Sequence, residues 1–159
     1  MGIGERRAVR DTDVMSGNVK LALSHVVPDL VLKVLRGQDP LHLLGDGTQV
    51  RCYTYGGDLA RGIRLAMESD AAVNDDFNLS TPVSTTVMEL AELIWRKVHG
   101  AGSPFSWVSD PPFDHDVQHR VPDVRRARDV LAFEAETSLS EMLDEVIPWI
   151  RAEDAVGAI

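Results

Sequence analysis

Apolar positions along this chain follow two rhythms, and the changes between them mark its elements. In HVVPDLVLKVLRGQDP, the residues Leu30, Val31, Val34 and Leu35 recur at helical spacing. Pro28 suits a first helical turn and Gly37 a helix stop. The period then falls to two. PLHLL and QVRCYTY alternate on either side of a Gly45-Asp46-Gly47 turn and predict two short strands. Asp58 next predicts the cap of a helix through Met67, with Leu59, Ile63, Ala66 and Met67 on its apolar face.

FNLS reads as a short strand ending at Thr81-Pro82. Thr86 and Glu89 have capping-box spacing ahead of Val87, Leu90, Ala91, Ile94, Trp95 and Val98, a helix that Gly100 ends. PFSWVS predicts another strand, DPPFDHDVQHRVPD a loop, and Asp123 to Leu131 a short helix. A second capping box, Ser138 with Glu141, opens a final helix carrying Leu139, Met142, Leu143, Val146, Ile147 and Ile150, which Pro148 is expected to bend or end. Residues 1–23 are polar, glycine-containing and of mixed charge, and read as a loop or arm before one folded domain over residues 24–159. Strands alternate with helices throughout, which makes the class α/β.

Charge narrows the partners. The 159 residues carry 16 Lys and Arg against 25 Asp and Glu, a net charge of −9, with no basic block. Nucleic-acid binding is excluded, since phosphate neutralisation needs a basic face. A small anion remains possible, because one or two placed arginines suffice for it. Cys52 is the single cysteine, which rules out an internal disulfide and a cysteine-based zinc site. The apolar runs are too short to span a membrane, and MGIGERRAVRD lacks the apolar core of a secretory signal. The expected location is cytoplasmic.

The order of three segments carries more information than any single motif. HVVPDLVLKVLRGQDPLHLLGDGTQVRCYTYGGDLARGI is followed by FNLSTPVSTTVMELAELI and then by RVPDVRRARDVLAFEAETSLSEMLDEVIPWI. In this order they resemble the C-terminal, substrate-binding half of the extended short-chain dehydrogenase/reductases, the NAD-dependent nucleotide-sugar epimerases, dehydratases and decarboxylases. The resemblance runs over about residues 24–151. It implies the small α/β portion of such an enzyme without its Rossmann half. That half would carry the Gly-x-x-Gly-x-x-Gly turn for NAD and the Tyr-x-x-x-Lys acid/base pair, and neither motif occurs here. Gly2 and Gly4 resemble the tail of the family's Asn-x-x-Gly segment. The chain therefore reads as a fragment, a truncated product or one half of a split enzyme. Alone it is expected to bind no NAD and to be inactive; NAD belongs to the complete enzyme.

The resemblance also assigns roles to residues. Arg51, a lone cation in an apolar strand, matches an arginine that contacts the substrate diphosphate; its planar fork suits two phosphate oxygens. Without the resemblance it reads as an arginine snorkelling from an edge strand. The glycine turn before it would let the strand run close to the ligand. The family often places Asp next, where this chain has Cys52. Arg120 and Asp123 in RVPD match an Arg-x-x-Asp motif whose Arg reaches the phosphate and whose Asp meets the ribose or orients the Arg. By local logic Asp123 is a helix cap. Asn78 matches a residue aimed at the nucleotide, although a strand-end Asn is more often satisfied by nearby backbone. Val27 and Pro28 match the wall beside the nucleobase, and His42 and Leu44 the strand that covers it. Core packing is the alternative for these four.

His115 and His119, four apart beside Asp114 and Asp116, could bind a metal on a helix, but the surrounding prolines argue for a loop and no metal is expected. Trp95, Trp107 and Trp149 read as core, and Ala132 and Ala135 as a turn. The expected function is to grip a nucleotide-diphospho-sugar while an absent N-terminal half supplies NAD and acid/base chemistry. The alternatives are a non-catalytic sugar-nucleotide-binding or regulatory subunit, and a scaffold that binds no ligand. Loss of the partner half is expected to leave the Val87 to Val98 helix with an open apolar face, available to that half or to a second copy.

Overall fold

The computed structural model describes residues 25–112 and 116–158. The arm expected over residues 1–23 lies outside the described residues, as do Asp114 and His115 of the histidine loop.

Three helices surround the main core. Helix α1 (Val26–Leu35), α3 (Val87–His99) and α5 (Leu139–Ala155) bury Leu30, Val31, Leu90, Ile94, Leu143 and Ile150 against strand β1 (Leu41–Leu44). β1 alternates as expected: Leu41 and Leu43 enter the core, while His42 and Leu44 face away. Its partner is β4 (Trp107–Asp110), parallel, with Leu41 opposite Trp107 and Leu44 opposite Asp110. Trp107 is exposed rather than core, since β4 presents that side chain on its open face.

Both capping boxes form. Thr86 and Ser138 each accept from the backbone N–H three residues on, and Glu89 and Glu141 bond back to the cap residues. α5 runs past Pro148 to Ala155. Pro148 removes one helical hydrogen bond, and Asp144, whose carbonyl would have accepted it, is exposed to hydrating water. The apolar face of α3 is closed, contrary to the sequence expectation. Leu90, Ala91, Ile94 and Trp95 are buried in the main core, so this face is not free for another chain.

A second sheet runs β3-β2-β5, with β2 (Val50–Arg51) antiparallel to β3 (Thr85–Thr86) and parallel to β5 (His119–Arg120). β5 lies in the stretch expected as pure loop. β2 covers only two residues of QVRCYTY. α2 (Gly56–Glu68) starts before Asp58, which is buried in its first turn and accepts the Thr137 N–H at 2.9 Å. Asp58 thereby ties α2 to the segment leading into α5 rather than capping α2. Ile63 and Met67 of α2 remain exposed, Met67 at 81%. The FNLS segment joins no ladder among the described residues, because a strand exists only with a paired neighbour. Phe77 and Leu79 instead pack on a small second cluster of Ala127, Leu131 and Phe133, between α2 and α4 (Arg125–Leu131).

Candidate functional site

The site is built on the second sheet. Parallel pairing puts Arg51 of β2 beside Arg120 of β5 as register partners. Partners in adjacent strands leave the sheet on the same face, so two guanidinium side chains start about 4.8 Å apart. Like charges this close repel unless an anion lies between or beside them. Arg120 is exposed and has no ion-pair partner among the described residues. Arg51 has one: its Nη2 lies 3.3 Å from Asp116 Oδ1.

Arg51 is held on two further sides. Its Nη1 donates to the carbonyls of Val50 at 2.8 Å and Gln118 at 3.3 Å. A guanidinium has five N–H groups. Among the described residues, the Nε–H and the second Nη2–H of Arg51 carry no bond. Together they form the edge that grips two oxygens of one anion.

Behind Asp116 stands Gln49, only 4% exposed. Its Nε2 donates to Asp116 Oδ2 and to the Leu44 carbonyl, each at 3.0 Å. The glycine turn makes room for this amide: Gly45 has φ +74°, and a Cβ there would meet Gln49 Nε2 at 2.5 Å. Gly47, at φ +78°, lies under Met88, where a Cβ would be 2.9 Å from the methyl group. The turn also accepts the first N–H groups of α3, Met88 to Gly47 O at 2.9 Å and Val87 to Gln49 O at 3.0 Å. Both close approaches are internal. The two glycines serve packing of the turn.

The remaining expected residues divide. Asn78 donates to the Asp123 carbonyl at 3.0 Å, which joins two of them, although through backbone. The Asp123 carboxylate caps the start of α4, accepting the Arg125 N–H at 3.0 Å and pairing with the Arg125 side chain. That hydrogen bond pulls its pKa down to about 2. Val27 is buried in the helical core and Pro28 is half-buried in α1. His42 and Leu44 share the outer face of β1, where His42 Nδ1 lies 2.9 Å from Asp110 Oδ1. His119 sits on β5 opposite Val50. No group of three or more metal-ligating side chains gathers among the described residues.

Asp116 and Gln49 escaped the sequence reading. Gln49 and Arg51 stand two apart around Val50, a spacing that marks one face of a strand. Asp116 was read only as a neighbour of the histidines, and its approach to Arg51 depends on the β2–β5 register. Burial pushes the Tyr53 phenol up to about 12 and the Cys52 thiol upward, so both stay protonated at neutral pH and supply no base.

Residues 19–146 match the family model described as GDP-mannose 4,6 dehydratase. UDP-glucuronic acid decarboxylase 1 of Xenopus tropicalis is 30% identical over 149 residues, covering 94% of this chain and 34% of that protein. The UDP-glucose 4-epimerase of Thermotoga maritima, solved with UDP-glucose, has a TM-score of 0.69 at 33% identity, over 80% of this chain and 40% of that one. An epimerase of Methanothermobacter thermautotrophicus gives 0.75 at 26%, over 83% and 38%. The chain thus spans between 34% and 40% of the length of these three proteins. With segment order, fold and family model in agreement, the chain belongs to the extended short-chain dehydrogenase/reductase family of nucleotide-sugar epimerases and dehydratases.

Proposed function

We propose that this chain is the substrate-binding portion of an NAD-dependent nucleotide-sugar epimerase, dehydratase or decarboxylase, in which Arg51 and Arg120 grip the nucleotide diphosphate. The observation that carries this reading is their in-register pairing on adjacent parallel strands, with Arg120 unpaired and Arg51 keeping a two-donor edge among the described residues. A diphosphate is the anion that fits, since it offers oxygens to two guanidiniums at once. In this reading Asn78 and Asp123, which adjoin the strand that carries Arg120 and are joined by a hydrogen bond, would meet the nucleoside. His42 and Leu44, on the outer face of β1, would in the same reading cover the base, whereas Val27 is spent on the core.

The glycines of α2 support placing NAD elsewhere in the complete enzyme. α2 alone opens on adjacent glycines, and a Cβ at Gly57 would meet the Tyr55 ring at 2.5 Å, so that glycine accommodates a side chain. Its pair also lacks the spacing of a dinucleotide turn. In this reading NAD is held by another part of the complete enzyme, and no step is assigned to it here. The chain's own residues fix the diphosphate and thereby orient the sugar. The open apolar side of α2, with Ile63 and Met67, and the ladderless FNLS segment are the surfaces on which such a part would pack.

The test is calorimetric titration with UDP. Arg51→Ala and Arg120→Ala are each expected to weaken binding by about 2 kcal/mol, the scale of a charge-assisted hydrogen bond. Uridine binding should not change. Equal affinity of wild type and both variants for UDP would remove the assignment.

A further inference from the structure

We propose that Asp116 is a positioning residue for Arg51, holding the guanidinium so that its Nε and Nη2 edge faces the ligand. The inference rests on the reading that Arg51 and Arg120 hold a diphosphate.

A carboxylate beside a phosphate-binding arginine repels the incoming anion, so its presence needs a reason. A loose surface ion pair would be a sufficient one, but the geometry is otherwise. The Arg51 and Asp116 side chains are only 21% and 22% exposed, and their contact is one bond of a connected set. Asp116 divides its two oxygens, Oδ1 towards Arg51 Nη2 and Oδ2 towards Gln49 Nε2. Gln49 cannot turn its amide over to follow a moving carboxylate. Its Nε2 also donates to Leu44 O, and a flip would set two carbonyl oxygens face to face. Asp116 is thus anchored to the end of β1, a strand of the main core.

The other side of the guanidinium is fixed by Val50 O and Gln118 O. These contacts define its plane and consume the N–H groups away from the free edge. Without Asp116, the long side chain of Arg51 keeps only its Nη1 bonds and can rotate about them. The entropy of restoring the binding geometry then falls on the ligand.

The experiment is a double-mutant cycle on the full chain, with UDP as the probe and circular dichroism to verify folding. Asp116→Ala is expected to weaken UDP binding about tenfold, the effect of one charge-assisted hydrogen bond, and to leave uridine binding unchanged. In an Arg51→Ala background the same substitution is expected to change nothing further, because Asp116 acts only through Arg51. A loss of equal size in both backgrounds would assign Asp116 a general structural role and overturn the proposal. So would unchanged or tighter binding in Asp116→Ala while Arg51→Ala weakens it, an outcome that leaves the diphosphate reading standing. If Arg51→Ala binds UDP like the wild type, or the wild type does not bind UDP at all, the diphosphate reading falls and this inference with it. Should Asp116→Ala fail to fold, Asp116→Asn enters the same cycle: it keeps the shape and loses one of the two accepted bonds.

Discussion

Gly45→Ala perturbs fold and site through one atom, and its cost can be worked from the geometry. Gly45 has φ +74°, and its backbone cannot retreat. Its N–H donates to Asp110 O and its carbonyl accepts Ser109 Oγ, both at 2.8 Å. The added Cβ would lie 2.5 Å from Gln49 Nε2, so the amide must move. Gln is a flexible side chain, but this one is buried and carries two hydrogen bonds. Displacing it leaves a buried amide and the Leu44 carbonyl short of partners, at about 1–3 kcal/mol. The left-handed backbone adds about 1 kcal/mol for a residue with a Cβ. The expected total is about 2–4 kcal/mol. Gly37→Ala isolates the backbone part, since Gly37 has φ +76° with nothing within 4 Å of its added Cβ. Urea unfolding of the two variants should differ by at least about 1 kcal/mol, with Gly45→Ala the less stable. Equal destabilisation would refute the account of Gln49 as a fixed anchor.

Three further outcomes are expected. Gly62→Ala gains about 1 kcal/mol of helix propensity but drives its Cβ to 2.9 Å from the buried Phe133 ring, and overpacking costs about 1–3 kcal/mol. The melting temperature should therefore fall, and a rise would show that Phe133 yields. Tyr53 has its phenol raised to about 12 by burial, so the stability it contributes is complete below pH 10 and is lost as pH rises towards 12. Tyr53→Phe should flatten that alkaline decline in urea midpoints taken at pH 9 and pH 11; an unchanged slope counts against it. The Asp123 carboxyl should titrate near 2 by NMR, its stabilising part being lost as pH falls through that value, and Arg125→Ala should return it towards the ordinary range. A normal titration in the wild type would show that the Arg125 contact does not persist in solution.

What the sequence disclosed and what it concealed differ by range. Both capping boxes were legible because Thr86 with Glu89, and Ser138 with Glu141, close within one helical turn. β1 was legible because its alternation needs only one buried side. FNLS was not, because alternation says which residues suit a strand and not whether a partner is present. Trp107 misled for a related reason: an aromatic residue in a strand reads as core until the strand proves to have an open face. The resemblance named Arg51 and Arg120 as residues for one diphosphate, but their pairing on adjacent strands was not legible, since register between distant strands leaves no local mark. Asp116 was hidden by the same distance, behind a more conspicuous pair of histidines.

The misreading of α3 bears most on how a chain this short closes its core. An amphipathic helix states how much apolar surface it must bury but not against what. The sequence reading supplied an absent partner, while α1 and α5 already cover Leu90, Ala91, Ile94 and Trp95. The unfilled demand lies elsewhere. The second cluster has Ala127, Leu131 and Phe133 as its only buried hydrophobic residues among those described, and beside it α2 leaves Ile63 and Met67 in the open. The sheet with the two arginines connects these unequal parts. β2 leads from the well-buried β1 towards α2, β3 runs directly into α3, and β5 leads to α4. Anchoring Arg51 through Asp116 and Gln49 to β1 therefore references the site to the firmly packed part. Arg120 enters the same site from the strand that leads to the open part, and the β2–β5 register is what sets the one arginine against the other.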